Sequence, residues 1–204
     1  YIREVDAIVQ VVRAFENPDV PHYCGKIDPQ EDMEIINLEL ELAGISKPTI
    51  YVLNVSEEQI KQNVFGQKYH ENEIVICAKL EMELAQLEEA ERKEYLMQLG
   101  IKESGLEKLI KQAYKILDLI TFYTIKGGKE VRAWSLKSGA TALDGAEKVH
   151  TDFAKNFIRA QVINCDELLV HGLWLKAKQA GKIRTEGKDY IVQDGDVVEF
   201  LIGS

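Results

Sequence analysis

Thr49-Ile50-Tyr51-Val52-Leu53-Asn54-Val55-Ser56-Glu57 decides how the first half of this sequence folds. The first five residues, led in by Lys47-Pro48, are rich in β-branched and aromatic side chains and read as a buried strand. Asn54 ends the run, and the acidic Glu57-Glu58 open a helix over residues 57–67, where negative charge complements the positive end of the helix dipole. The same rhythm repeats on both sides. Residues 6–15 (DAIVQVVRAF) form another apolar run, stopped by Asn17-Pro18-Asp19, and read as a strand buried in a parallel sheet. Asp28-Pro29-Gln30-Glu31 places a capping Asp, a Pro at the first helical position and a Glu three residues after the cap, so a helix follows to Ala43 and ends at Gly44. Residues 73–77 form a third strand, residues 80–99 an acidic helix, and Ser104-x-x-Glu107 caps a helix with an apolar stripe at Leu106, Leu109, Ile110, Ala113 and Leu117. Strand and helix in alternation predict an α/β parallel sheet.

After Leu119 the rhythm changes. Residues 120–125 and 130–135 read as a hairpin turning at Gly127-Gly128, residues 146–156 as a short helix, 157–163 as a strand and 167–180 as one helix closed by Gly181. Short strands follow at 182–185, 190–192 and 197–202, with Asp194-Gly195-Asp196 as a tight turn. This order predicts a small α+β domain of β-grasp (ubiquitin-like) type. Charge divides at the same place: residues 119–204 hold 12 Lys/Arg against 11 Asp/Glu, leaving 13 against 23 for residues 1–118 and a net −9 overall. That balance argues against phosphate-backbone binding by the whole chain. Two domains are expected, 1–118 and 119–204. No apolar run reaches the ~18 residues of a membrane span, the first residues lack a signal-peptide pattern, and the three cysteines form no C-x-x-C pair. A cytoplasmic protein is expected, cut from something longer since it starts at Tyr1.

In open α/β sheets, ligands bind at the carboxyl ends of the strands, which is where Asn54-Val55-Ser56-Glu57 and Cys77-Ala78-Lys79 fall. An Asn amide both donates and accepts, and so can read a purine edge or tie neighbouring loops. A carboxylate three residues on can accept from a purine's N–H groups. Here Glu57 stands where the familiar N-K-x-D pattern has Asp, and Val55 replaces its Lys. Two readings stay open: a base-recognition loop, or an Asn-initiated turn opening a helix. Cys77-Ala78-Lys79 likewise reads as a base-facing loop or as a plain strand-to-helix turn. No G-x-x-x-x-G-K-[ST] and no D-x-x-G occurs, so the phosphate-cradling half of a nucleotide site is missing. His22, His70, His150 and His171 lack metal-ligand spacing and read as surface or structural. Trp134 and Trp174 read as packing residues. Lys176, Lys178, Lys182 and Arg184 read as a solvated helix end or as a small RNA-phosphate patch.

These segments, with Gly25-Lys26-Ile27-Asp28-Pro29, Leu119-Ile120-Thr121-Phe122-Tyr123-Thr124, His150-Thr151-Asp152-Phe153 and the run Glu186-Gly187-Lys188-Asp189-Tyr190-Ile191-Val192-Gln193-Asp194-Gly195-Asp196, resemble the YchF (Obg-like ATPase) family over nearly the whole chain. The resemblance implies a P-loop GTPase-like domain preferring ATP to GTP, Mg²⁺-assisted hydrolysis, ribosome binding, a coiled-coil arm and a C-terminal TGS domain. It implies that Asn54, Val55 and Glu57 flank the adenine, that Cys77, Ala78 and Lys79 close the base pocket, and that Phe15 lines it. The P-loop segment and its Mg²⁺ ligands have no counterpart here, and only Ala43-Gly44-Ile45-Ser46 stands where the arm belongs. Hydrolysis by this chain alone is therefore not expected. A non-enzymatic RNA- or ribosome-docking module, or a GTP-binding protein, is the alternative.

Overall fold

The computed structural model describes residues 2–62, 70–127 and 130–203. The chain separates into two compact units, Tyr1–Leu117 and Asp118–Ser204.

The first unit holds a three-stranded, all-parallel sheet in the order β1-β2-β3, formed by β1 (Ile8–Arg13), β2 (Thr49–Asn54) and β3 (Glu73–Ile76). The register runs from Ile8 opposite Thr49 to Arg13 opposite Asn54, and Asn54 lies opposite Ile76, so the carboxyl ends of all three strands finish level. Helix α1 (Pro29–Leu42) makes the first crossover, capped by the Asp28 carboxylate, which accepts from the Glu31 N–H. Helix α2 (Glu57–Gln62) begins the second; the remainder of the helix expected over 57–67 lies outside the described residues. One sheet face packs Val12 and Leu53 with Met33 of α1 and with Leu80, Leu84 and Leu96; the other packs Ile50, Val52 and Ile76 against Leu109, Ala113 and Ile116.

Two expectations need correction. The 80–99 helix is broken into α3 (Ala78–Leu84) and α4 (Glu89–Gln98). Glu88 and Glu91 form a capping box that starts α4, and the Arg92 guanidinium donates to the carbonyls of Leu84 (3.1 Å) and Leu87 (3.2 Å), tying the first turn of α4 to the end of α3 and the turn after it. In addition, β1 is not buried on both faces: Val9 and Val11 are exposed while Ile8, Gln10 and Val12 are buried. Helix α5 (Gly105–Ile116) covers the sheet over β2 and β3, and β1 is an edge strand. The N-terminus of α5 is held close to β3, with a Cβ on Gly105 falling 2.9 Å from two Ile76 side-chain carbons, and the Gly105 N–H donates to Glu81.

The second unit holds a mixed five-stranded sheet in the order β5-β4-β8-β6-β7. Strands β4 (Leu119–Lys126) and β5 (Glu130–Lys137) form the expected antiparallel hairpin, with Gly127 at φ +58° and Gly128 outside the described residues. Strand β8 (Asp196–Ile202) runs parallel to β4 and antiparallel to β6 (Phe157–Asn164), which also pairs with β7 (Arg184–Glu186). Helix α6 (Ala142–Val149) packs on one face over Phe122, Leu136, Val162 and Val198, and Trp174 with Ala177 covers Ile125, Ile163 and Val197 on the other. At Gly145, α6 lies over the aromatic core, and a Cβ there would make ordinary contact with Phe200 at 3.5 Å and Phe122 at 3.6 Å.

The helix expected over 146–156 is instead α6 followed by α7 (Thr151–Lys155), because His150 adopts an extended backbone and its Nδ1 accepts from the Asp152 N–H. The helix expected over 167–180 is two, α8 (Cys165–His171) and α9 (Trp174–Gln179), separated by Gly172 at φ +72°. Residues 190–192 form only an isolated bridge, Thr141 to Ile191. Asp196 is 1% exposed and organises the 190–196 turn: it accepts from Tyr190 Oη (2.7 Å) and from the Gln193 N–H (2.9 Å), with Arg184 Nη2 at 3.8 Å.

Candidate functional site at the strand ends

Because the three parallel strands end level, their following loops form one cluster. Asn54 Oδ1 accepts from the Ala78 N–H at 3.0 Å, tying the loop after β2 to the one after β3. Backbone bonds reinforce the tie: the Val55 N–H donates to the Ile76 carbonyl and the Ala14 N–H to the Asn54 carbonyl. Lys79 Nζ lies 2.7 Å from Glu57 Oε1, joining the first turns of α2 and α3. The Lys79 ammonium, foremost through this hydrogen bond, holds the Glu57 carboxyl below the ordinary carboxylate range, and Glu57 in turn raises Lys79. Both groups reach solvent, so the pair contributes orientation more than stability.

The seven sequence-chosen residues do not all present side chains to this cluster. Asn54, Glu57, Ala78 and Lys79 are joined by direct contacts. Val55 and Cys77 turn into the core beside Val12 and Leu53, so only their backbone faces the loops. Phe15 lines a neighbouring recess of about 450 Å³ with Glu16, Ile27, Ser56, Glu58 and Gln59. One residue that sequence reasoning passed over stitches this recess to the cluster: Gln59 Nε2 donates to the Ala14 carbonyl (2.9 Å), while its Oε1 accepts from the Ser56 N–H (2.8 Å). The Gln59 N–H also donates to Ser56 Oγ. The signal was present as Ser56-x-x-Gln59, a capping box at the start of α2.

Several of the remaining candidates are held by local partners. His22 contacts Asp32 of α1 at 3.0 Å, His70 stacks on Tyr51 at 3.8 Å and His150 caps α7. Of the suggested basic patch, Arg184 is committed to Tyr190 and Asp196, and Lys182 to Glu167 at 3.1 Å; Lys178 donates to Gln161. Trp174 is buried, and Trp134 donates from Nε1 to Thr124 Oγ1. Among the described residues no group of three or more His, Cys, Asp or Glu side chains converges as metal donors. No step through a Mg²⁺ ion is assigned to these side chains. No helix among the described residues is long and apolar enough to cross a membrane.

These features define an α/β protein with a hydrogen-bonded loop cluster at the carboxyl ends of a parallel sheet, followed by a mixed-sheet α+β unit. A family described as YchF-GTPase_C, "Protein of unknown function (DUF933)", matches residues 119–203. The ribosome-binding ATPase YchF of Bacillus subtilis is 38% identical over 271 positions, spanning 98% of this chain and 74% of that protein. The Escherichia coli O157:H7 protein of the same name is 35% identical over 268 positions, with 98% and 74% covered. The structure of the Schizosaccharomyces pombe YchF GTPase shares the fold, with a TM-score of 0.80, 24% identity, and coverage of 98% of this chain and 73% of that one. The chain belongs to the YchF family. The alignment with the B. subtilis protein runs over 271 positions, 67 more than the 204 residues of this chain, so that relative carries sequence inside the matched span that this chain lacks.

Proposed function

We propose that residues 1–118 are the base-recognition side of a P-loop NTPase (G) domain and residues 119–204 a TGS domain of β-grasp type. On this reading both belong to a ribosome-binding, ATP-hydrolysing protein. The observation that carries it is the strand-end cluster: Asn54 bonded to Ala78 and Glu57 paired with Lys79. Asn54 acts as a positioning residue, since its carbonyl oxygen is used in holding the two loops while its amide nitrogen remains for a purine edge. Glu57 accepts from base N–H groups by exchanging part of its Lys79 contact, which keeps the carboxylate ionised before the base arrives. The backbones of Val55, Cys77 and Ala78 and the ring of Phe15 complete the surroundings. The missing sequence of the arm falls between Leu42 and Lys47, where α1 passes through Gly44 directly into β2. The strands of the phosphate-binding half join at the free edge of β1, beside the exposed Val9 and Val11. No catalytic residue is assigned within this chain.

Calorimetric titration with ATP and GTP in Mg²⁺, of this chain and of the same chain preceded by a P-loop segment, tests the reading. Binding of ATP by the extended chain, lost with Asn54→Ala, is the expected result. Tenfold tighter binding of GTP would overturn the adenine assignment. Absence of nucleotide binding with intact ribosome co-sedimentation would leave the second reading, a non-enzymatic docking module.

A further inference from the structure

Helix α1 is apolar on two sides. Met33, fully buried, and the partly buried Ile36 pack into the core, while Ile35, Leu38 and Leu42 are 36%, 56% and 80% exposed. At 100° per residue these last three share one outward face. Glu34 and Glu41 border that face on one side and Glu39 on the other, and none of the three meets a cation among the described residues. Asp32 and Glu31 are already engaged, by His22 (3.0 Å) and Lys26 (2.7 Å). The helix PQEDMEIINLELEL carries five carboxylates and no basic residue.

An outward apolar stripe of this spacing fits the helix-in-groove mode of recognition, and its flanking charges select the partner's sign. A second copy of α1 is disfavoured, since pairing would set Glu34, Glu39 and Glu41 against the same three carboxylates of the other copy. Nucleic acid is disfavoured for the same reason. We propose that the outward face of α1 docks a lysine- and arginine-rich amphipathic helix of a ribosomal protein. This rests on the ribosome-binding reading and deepens it: a chain of net −9 engages the basic protein component of the particle through this face.

Two measurements on the full chain test it. In the first, a labelled synthetic helix with leucine and lysine at i, i+3, i+4 and i+7 spacing is titrated by fluorescence anisotropy. The double variant Leu38→Gln/Leu42→Gln and the triple variant Glu34→Gln/Glu39→Gln/Glu41→Gln are each expected to weaken binding by about tenfold or more, with helix content unchanged by circular dichroism. Equal binding by all three chains overturns the proposal. In the second, a photo-crosslinking residue at position 42 is irradiated with purified ribosomes. A ribonuclease-resistant adduct on a basic helical protein segment is expected. An adduct to RNA, or none while the chain still co-sediments, overturns it. Failure of the unsubstituted chain to co-sediment would sink the ribosome reading itself, while the peptide titration still decides whether α1 is a helix-binding face.

Discussion

The two sheets solve the same problem differently. In the first unit all strands are parallel and each pairing waits on a long crossover, so the sheet stops at β1 with an open edge and with Val9 and Val11 uncovered. In the second, the β4–β5 hairpin pairs locally, and both faces of the central strands are covered, by α6 on one side and by Trp174 and Ala177 on the other. The two units also show different polar ties: in the first, Asn54 joins two strand-end loops, and in the second the buried Asp196 locks a turn.

The largest effect expected within this contrast is at Phe122, fully buried at the centre of the second sheet: Phe122→Ala is expected to cost about 3–5 kcal/mol. Both tryptophans lie in that unit, so denaturant unfolding followed by tryptophan emission measures it directly. Next is Tyr190→Phe, which removes a donor from a buried carboxylate and is expected to cost about 1.5–3 kcal/mol by the same measurement. Burial, and then the Asp196 hydrogen bond, push the Tyr190 phenol up to about 12. Because this folded value lies above the unfolded one, the stabilisation is fully present below the ordinary value of 10.0 and is lost as pH rises through about 12. An emission midpoint that does not fall in that window would detach Tyr190 from the stability of the unit.

Gly105→Ala probes the first unit. A Cβ would sit 2.9 Å from two branches of Ile76 and 3.0 Å from a Glu81 oxygen, so a loss of about 1–3 kcal/mol is expected in far-ultraviolet circular dichroism melts, with the tryptophan signal of the second unit unchanged. The smallest effect sharpens the comparison most. Val9→Lys with Val11→Lys is expected to stay within about 0.5 kcal/mol of the parent, while reducing self-association in sedimentation. A core-sized loss would mean that the strip is covered in solution and that the two sheets do not differ as described.

The sequence carried the parallel sheet because runs such as Thr49–Asn54 are β-branched, bounded and separated by capped helices, all of it local information. The hairpin was legible from its glycines and alternating pattern. Helix interruptions were harder to read. The breaks at 85–88, His150 and Gly172 arise where an arginine reaches back to the turn's carbonyls, where an extended cap intervenes and where one glycine turns left-handed, while hydrophobic periodicity runs on through all three. At the strand ends, Asn54 and Glu57 were legible from their place after a strand, and Gln59 was legible only as a capping-box residue; its bond to the loop after β1, 45 residues away, was not.

The sequence by itself determined the element types, the two-part rhythm and the position of the strand-end loops, because these follow from side-chain periodicity, caps and turn residues acting over a few positions. Only the tertiary structure decided which side chains of the loops turn inward, as Val55 and Cys77 do, and which meet across them, as Glu57 and Lys79 do. It also decided that α1 keeps one apolar face outside. The physical reason is that burial depends on what packs opposite a residue, and that is set by strand register and sheet order, which no local pattern records.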